Sequence, residues 1–326
     1  MPSDLLPPNW PAMTIAQANA ALAGPGSPVE VTEAEIGGVK QKVYANAPPN
    51  IHAILFLAAA QFPDRDYIVY QDERVTYTAM LRAVEHFAAV LRDRYGIRKG
   101  DRVGIIMRNY PQWPVAFYAA LSLGAIATPM NSWWTGDELH YGLSFAGVKL
   151  AVVDPQIFER IHDHLEDLPE LKHIVIARDA DDEHNDPRVA TMESLIGPAN
   201  SWAALPVIGM PDVTVMPEDD ATIMYTSGTT GKPKGALATH RAVVANMFNS
   251  LTCSARMFLR KGEAVPQPDP NVQRATLLSI PFFHATGAFA VMVPTALRGD
   301  KIVSMYKWDA GEALPIIEKE RITSIG

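Results

Sequence analysis

The chain has 326 residues, of which 48% are hydrophobic and 20% charged, enough apolar mass to bury the core of one large domain or two smaller ones. A formal net charge of −8 excludes a general nucleic-acid binder, which needs a basic face. The single cysteine, Cys253, excludes an internal disulfide and a cysteine-based zinc site, and reads as a small apolar residue in a reducing compartment.

The first thirteen residues, MPSDLLPPNWPAM, have neither the basic lead nor the apolar centre of a secretory signal. No apolar run reaches the ~20 residues that a bilayer span requires. The expected location is the cytoplasm, with no transmembrane segment; peripheral membrane contact is compatible with the sequence but not called for by any basic amphipathic stretch. Residues 1–50 carry many prolines and read as an N-terminal arm. One short helix is predicted in it, where Thr14 and Gln17 make a capping box and Gly24-Pro25 supplies the stop.

From Ile51 onward strand and helix alternate. Leu81, Val84, Phe87, Ala88 and Leu91 recur at helical spacing ahead of Gly96, and RVGIIM (102–107) reads as a buried strand. A helix through Trp113, Phe117 and Leu121, a strand at AIATPM, a helix capped by Thr135 and Glu138, and strands at KLAVVD and HIVIA follow. Repeating βα units with strands buried on both faces predict a largely parallel sheet. The charge-dense segment RDADDEHNDPR (178–188) reads as a solvated loop; its Asp179, Asp181, Asp182, His184 and Asp186 match no rigid ligand spacing. His162 and His164 are expected at the surface of one helix, two residues apart and so on different faces.

Chemistry concentrates in YTSGTTGKPKG, residues 225–235. Gly228, Gly231 and Gly235 permit close backbone approach, so that successive N–H groups can converge on an anion. Thr226, Ser227, Thr229 and Thr230 add hydroxyl donors, and Lys232 and Lys234 add charge. DATIMYTS before the loop and GALATH after it both read as strands, with a helix from about Arg241. The commoner GxxxxGK[ST] phosphate loop runs from a strand directly into a helix and does not fit, since Thr226 stands at its first glycine and Pro233 at its hydroxyl position. The alternative without a ligand is a Gly/Ser/Thr surface turn.

Beyond KGEAVPQPDPN (261–271), an exposed connection, the α/β pattern resumes. ATLLSI is a strand, GAFAVMVPTALRG a helix, KIVSMY a strand, GEALPIIEKERI a helix with a proline in its apolar face, and ITSIG the beginning of a further strand.

The loop sequence resembles the signature phosphate loop of the adenylate-forming (AMP-binding) superfamily, which includes acyl-CoA synthetases, aryl-CoA ligases, luciferases and peptide-synthetase adenylation domains. SIPFFHATG (279–287) is similar to that family's second motif. RVTYTAML and GDRVGIIMRNYPQWPVAFYAALSLGAIATPMN resemble its N-terminal motifs, so that the likeness runs over about residues 46–326. The resemblance implies an α/β fold of two similar sheets with flanking helices in an αβαβα layering, the loop at their shared edge. It divides the chain into the arm (1–50), a first α/β subdomain (51–240) ending in the phosphate loop, and a second, incomplete one (241–326) that packs with 51–74.

The implied reaction joins a carboxylic acid, by likeness to fatty-acyl ligases a fatty acid, to the α-phosphorus of ATP and then passes the acyl group to coenzyme A. Lys234 would neutralise the β- and γ-phosphates, with Thr226, Ser227, Gly228, Thr229, Thr230, Gly231 and Lys232 completing the nucleotide cradle. His284 would border the acid's carboxylate and gate the acyl pocket; its alternative is a packed histidine bonded to a backbone carbonyl. Phe282, Phe283 and Gly287 either shape the acyl site or belong to the core. The resemblance further implies magnesium, an adenine-binding aromatic motif, a ribose-binding aspartate and a C-terminal lysine, for which residues 1–326 offer no match. The chain is therefore expected to be an N-terminal fragment, inactive alone and holding no cofactor stably. A non-catalytic nucleotide-binding module and an aryl- or amino-acid-activating enzyme are the competing readings.

Overall fold

The apolar runs read as buried strands fall into two sheets, both fed by helices whose caps are written in the sequence. The computed structural model describes residues 10–179, 184–226, 231–267, 269 and 271–326. In chain order the elements are α1 (Ile15–Leu22), β1 (Val31–Ile36), β2 (Val39–Tyr44), α2 (Ile51–Gln61), β3 (Asp66–Tyr70), β4 (Glu73–Thr76), α3 (Tyr77–Asp93), β5 (Arg102–Ile106), α4 (Gln112–Ser122) and β6 (Ile126–Pro129). There follow α5 (Gly136–Ala146), β7 (Val148–Val153), α6 (Pro155–His162), β8 (His173–Ile176), β9 (Val189–Thr191), α7 (Met192–Ile196), β10 (Asp220–Thr226), β11 (Lys234–Thr239) and α8 (His240–Lys261). The last are β12 (Ala275–Leu278), a π-helical segment (Thr286–Met292), α9 (Val293–Arg298), β13 (Lys301–Ser304), α10 (Ala310–Glu320) and β14 (Ser324–Ile325).

One compact unit comprises residues 1–49 and 241–272. Thr14 caps α1 as expected, its side chain accepting from Gln17 N–H at 3.2 Å while Gln17 returns a bond to the Thr14 backbone. The arm also holds an antiparallel hairpin absent from the sequence reading, β1 with β2, turned at Gly37 and Gly38, which both have positive φ. Alternating side chains around Gly-Gly are a hairpin signal, because that turn needs positive φ at both central residues. Within this unit Tyr44 donates to Asn249 at 2.7 Å, and the Arg256 guanidinium donates to Asn19 at 3.2 Å.

The other unit comprises residues 50–240 and 273–326 and contains both larger sheets. The seven-stranded sheet runs β11-β10-β6-β5-β7-β8-β9, parallel throughout except for the β10–β11 pair. The five-stranded sheet runs β14-β12-β13-β3-β4, parallel except for β3–β4. Between them lies a helical layer: α3 packs on β3 and β4, α4 on β5 and β6, α9 on β13, and the helices contact one another. All eleven residues of α4 are buried, which explains its apolar surface on every side. The largely parallel strands are those expected from the repeating units, and two sheets with helices between and around them are the arrangement that the resemblance implies.

Polar ties cross that layer. Tyr67 of β3 and Tyr118 of α4 share a hydroxyl–hydroxyl bond of 3.3 Å, and the Tyr77 hydroxyl donates to the Asp300 carbonyl at 2.7 Å. Arg178, just past β8, holds φ at 63°, where a non-glycine residue needs compensation. Its backbone N–H donates to both Glu193 carboxylate oxygens at 3.0 Å. Its guanidinium pairs with Glu73 of β4 at 2.8 Å and lies over the rings of Tyr70 and Tyr110 at 5.0 and 4.9 Å, so one side chain links the two sheets.

His162 ends α6 exposed, but His164 lies beyond the helix, half-buried against the His140 ring at 5.4 Å and under Gly136, so the two do not share a helix. In the acidic segment His184 pairs with Asp179 at 2.8 Å and Asp186 with Arg188 at 2.7 Å. Asp181 and Asp182 lie outside the described residues. Among the described residues no group of three His, Cys, Asp or Glu side chains is placed to hold a metal ion, and no helix is long and apolar enough to cross a membrane.

Arg178→Ala removes an ion pair and two ring contacts that join the sheets, and should lower unfolding free energy by about 1–3 kcal/mol in urea titration. Acid should also destabilise the fold through His52 of α2 and His240, whose rings meet edge-on at 5.9 Å. Burial, then the neighbouring His240 charge, drops His52 to about 3; burial drops His240 to about 4, with Asp219 opposing and Lys99 adding to the shift. His52 Nδ1 and His240 Nε2 are buried without partners, so the fold keeps both rings neutral. The unfolded chain takes up these protons near pH 6.5, so stability is full above that pH and falls as pH drops towards 4, by up to about 1.4 kcal/mol per unit for each ring. Urea midpoints between pH 7 and pH 5 measure this slope, which His240→Gln should reduce.

Candidate active site

The carboxyl ends of parallel strands are where open α/β sheets leave backbone groups and side chains free for ligands. Here the carboxyl ends of β5 and β6 from one sheet and β12 and β13 from the other open onto a single cavity of about 190 Å³. Arg108 and Asn109 follow β5, Ser132 and Trp133 follow β6, Ser279 and Pro281 follow β12, and Met305 to Trp308 follow β13.

Asn109 ties these ends together. Its Oδ1 accepts from Phe282 N–H at 2.9 Å, and its Nδ2 donates to the Ile280 carbonyl at 3.2 Å. Both bonds fall on SIPFFHATG, fixing that segment of the five-stranded sheet to the end of the seven-stranded one. Phe282 is buried and stacks on Trp113 at 5.1 Å, so it belongs to the core, while half-buried Phe283 meets the Trp133 ring edge-on at 5.3 Å.

His284 stands on the turn that leads into the π-helical segment. Its side chain is exposed, and Nδ1 accepts the Thr286 N–H at 3.2 Å, which places the ring proton of the neutral form on the outward Nε2. The packed, carbonyl-bonded alternative is not what the ring adopts. Gly287 is required by sterics: a Cβ there would lie 2.2 Å from the Pro281 carbonyl oxygen, a backbone atom that cannot swing away.

The phosphate-loop sequence joins β10 to β11, a strand–loop–strand hairpin with Tyr225 opposite Gly235 and Thr226 opposite Lys234. Of the nucleotide cradle, Thr226, Gly231, Lys232 and Lys234 are described; Ser227, Gly228, Thr229 and Thr230 lie outside the described residues. Thr226 Oγ1 donates to the Lys234 carbonyl at 3.4 Å, and Gly231 takes φ 92°, which glycine alone adopts without strain. Lys232 and Lys234 are exposed, and the Lys232 ammonium rests 5.0 Å from the centre of the Tyr141 ring.

Helix α5 supports the base of this hairpin. Tyr225 donates to the Gly142 carbonyl at 2.6 Å and meets the Trp134 ring at 5.3 Å; Tyr141 donates to the Pro233 carbonyl at 3.4 Å. Burial, with the neighbouring Tyr141 adding to it, pushes the Tyr225 phenol well above its ordinary range, so it serves as a fixed donor. The loop thus offers glycine backbone and two cations on a supported hairpin, a set that fits a polyphosphate. It contributes no carboxylate for a magnesium ion.

The chain matches the AMP-binding enzyme family over residues 55–326. It belongs to that family. Among curated relatives it is 28% identical to 4-coumarate--CoA ligase 2 of Oryza sativa subsp. japonica over 285 residues, 84% of this chain and 46% of that protein. It is 29% identical to the long-chain-fatty-acid--CoA ligase of Bacillus subtilis (strain 168) over 292 residues, 84% of this chain and 49% of that protein. The chain therefore spans about half the length of the curated relatives it matches. Among solved structures, the inhibitor-bound N-terminal domain of FACL13 from Mycobacterium tuberculosis aligns with TM-score 0.63 and 28% identity, covering 86% of this chain and 63% of that one. A fatty acyl CoA synthetase of the same organism aligns with TM-score 0.64 and 27% identity, covering 85% of this chain and 49% of that one.

Sequence reasoning did not single out Arg108, Asn109, Trp133 or Tyr141. The signal for the first two was present, because MRN directly follows a strand buried on both faces, and the ends of such strands are where open α/β sheets place ligands. Asn109→Ala should strand the Phe282 N–H and the Ile280 carbonyl and cost about 1–3 kcal/mol by thermal or urea unfolding, with faster amide exchange at Phe282.

Proposed function

We propose that this chain supplies the nucleotide- and acid-binding part of an ATP-dependent acyl-CoA synthetase, an AMP-forming acid–thiol ligase acting on a fatty acid. The observation that carries the reading is the hairpin loop with Lys232 and Lys234, braced by α5, inside a chain of the AMP-binding family. The names of the relatives, a long-chain-fatty-acid ligase and 4-coumarate ligases among them, support acid–CoA ligation as the class.

In the proposed chemistry a carboxylate oxygen attacks the α-phosphorus of ATP, the new O–P bond forms as the α–β anhydride breaks, and pyrophosphate leaves. The coenzyme A sulfur then attacks the acyl carbon and AMP departs. Two anions must meet in the first step, so the task of the protein is positioning and charge compensation. Lys234 is assigned to the β- and γ-phosphates, Thr226 and the neighbouring loop hydroxyls to hydrogen bonds, and Lys232 leaves the Tyr141 face to join them. His284, with its outward Nε2–H, is assigned to the border of the acid's carboxylate. Magnesium, when bound, would offset phosphate charge.

These residues alone are proposed to lack turnover and to retain ATP weakly, because the adenine- and ribose-binding motifs of the resemblance have no match among them. Pyrophosphate release is the test, run with ATP, coenzyme A and either dodecanoate or 4-coumarate. The subjects are the 326-residue chain and the same residues fused to the second half of the Bacillus subtilis relative. The fusion should turn over dodecanoate, lose at least about a hundredfold with Lys234→Ala, and leave the chain alone at background. Turnover with 4-coumarate alone would replace the fatty acid by an aromatic one. A folded fusion inert with both acids would leave a nucleotide-binding module as the better reading.

A further inference from the structure

The seven-stranded sheet ends in β11, which pairs only with β10 among the described residues. Half of the N–H and C=O groups of an edge strand point outward with no ladder partner, a template for a further strand that proteins otherwise blunt with charges or prolines. Pro233 and Lys234 stand at the start of β11, but the run from Gly235 to Ala238 carries neither charge nor proline, and Gly235, Ala236 and Leu237 are exposed.

One face of that edge is apolar. Gly235 and Leu237 share a face because side chains alternate along a strand. A Cβ on Gly235 would lie 3.9 Å from the Phe145 ring of α5, so Phe145 sits on the same face. Leu237 is 56% exposed and Phe145 59%, although Phe145 also stacks on Tyr141 at 5.5 Å.

The two ends of the β10–β11 ribbon carry opposite charge. Lys232 and Lys234 mark the loop end; Asp219 and Asp220 mark the other, Asp220 lying level with the last residue of β11. Asp219 is committed to Lys99 at 2.5 Å, whereas Asp220 and Lys234 are exposed and make no ion pair among the described residues. A strand laid antiparallel to β11 is favoured where its charges run the other way, basic end against acidic end. A second copy of β11 is such a strand. A two-fold axis through Leu237, perpendicular to the sheet, turns the basic end of each ribbon to the acidic end of the other. It also sets the two Leu237 side chains opposite each other, with both Phe145 rings on their side of the sheet.

We propose that β11 is a homodimer interface, at which two copies of this chain join their seven-stranded sheets edge to edge through antiparallel β11 strands. One six-residue strand and two large apolar side chains per copy make a small contact, so the dimer is weak and concentration-dependent. The pairing draws on neither ATP nor an acid, so its failure and that of the activation reading are separate results.

Sedimentation equilibrium of the full 326-residue chain over about 1–200 µM tests it, with a dissociation constant expected below about 100 µM. Amide exchange over residues 235–238 should slow as the concentration rises through that range. Leu237→Asp places two like charges at the axis and should weaken the dimer at least about tenfold. Circular dichroism checks the fold of each variant; should Leu237→Asp misfold, Phe145→Ala serves instead, with a loss of at least about threefold. Asp220→Lys alone and Lys234→Glu alone each set like charges against each other and should weaken self-association at least about threefold, whereas an equimolar mixture of the two should pair at least as tightly as the unaltered chain. A monomeric mass over the whole range overturns the interface and leaves the edge to a strand of another protein. A dimer that folded Leu237→Asp leaves unchanged overturns it too, as does a mixture that pairs no more tightly than either charge variant alone.

Discussion

Two sheets that each end in free loops have no reason to present those loops to a common space unless something joins their ends, and one side-chain amide does so here. Asn109 leaves β5 of the seven-stranded sheet and satisfies a carbonyl and an N–H on either side of Pro281, which follows β12 of the five-stranded sheet. An amide can do this because it donates and accepts from one planar group; a carboxylate or an amine would satisfy only one of the two. Everything assigned to the acid side depends on that stitch: the buried stack of Phe282 on Trp113, the Pro281–Gly287 approach, the turn bearing His284 and the cavity beside Arg108. Arg178 makes a second join, between the end of β8 and the β3–β4 hairpin, at the expense of a left-handed backbone.

The side assigned to the nucleotide is built on another logic. The hairpin joins two strands, so among the described residues no helix N-terminus lies within it to add a macrodipole. Instead α5 braces the hairpin through Tyr225 and Tyr141, and charge comes from Lys232 and Lys234. The ammonium of Lys232 on the Tyr141 ring gives the cation a resting place that a stronger anion can displace, which keeps a flexible side chain near the loop.

Much of this was legible in the residues. The parallel sheet followed from apolar runs bounded by amphipathic helices, the capping boxes at Thr14 and Thr135 marked helix starts, and the hairpin setting of the loop followed from apolar stretches on both sides of YTSGTTGKPKG. The β1–β2 hairpin escaped because its strands are exposed and charged, leaving only the Gly37-Gly38 turn as a signal. The stretch after His284 reads as a plain helix, and nothing in TGAFAVM announces the π-helical turn it forms, at whose start Gly287 packs against the Pro281 carbonyl. His164 was misplaced because a helix stop after His162 carries neither glycine nor proline. The meeting of Arg108 with Trp133 and Tyr306 could not be read at all, since the three come from three loops that only the tertiary fold brings together.

Placing the two loop lysines on an exposed hairpin has a consequence in ionic strength. Charges in water are screened over about 8 Å at physiological salt, whereas a partly buried pair such as Arg178 with Glu73 is screened much less. Attraction of an anion to the hairpin lysines therefore falls as salt rises, while the Arg178–Glu73 tie between the sheets changes little. A cell that shifts its ionic content would tune one contact and leave the other alone.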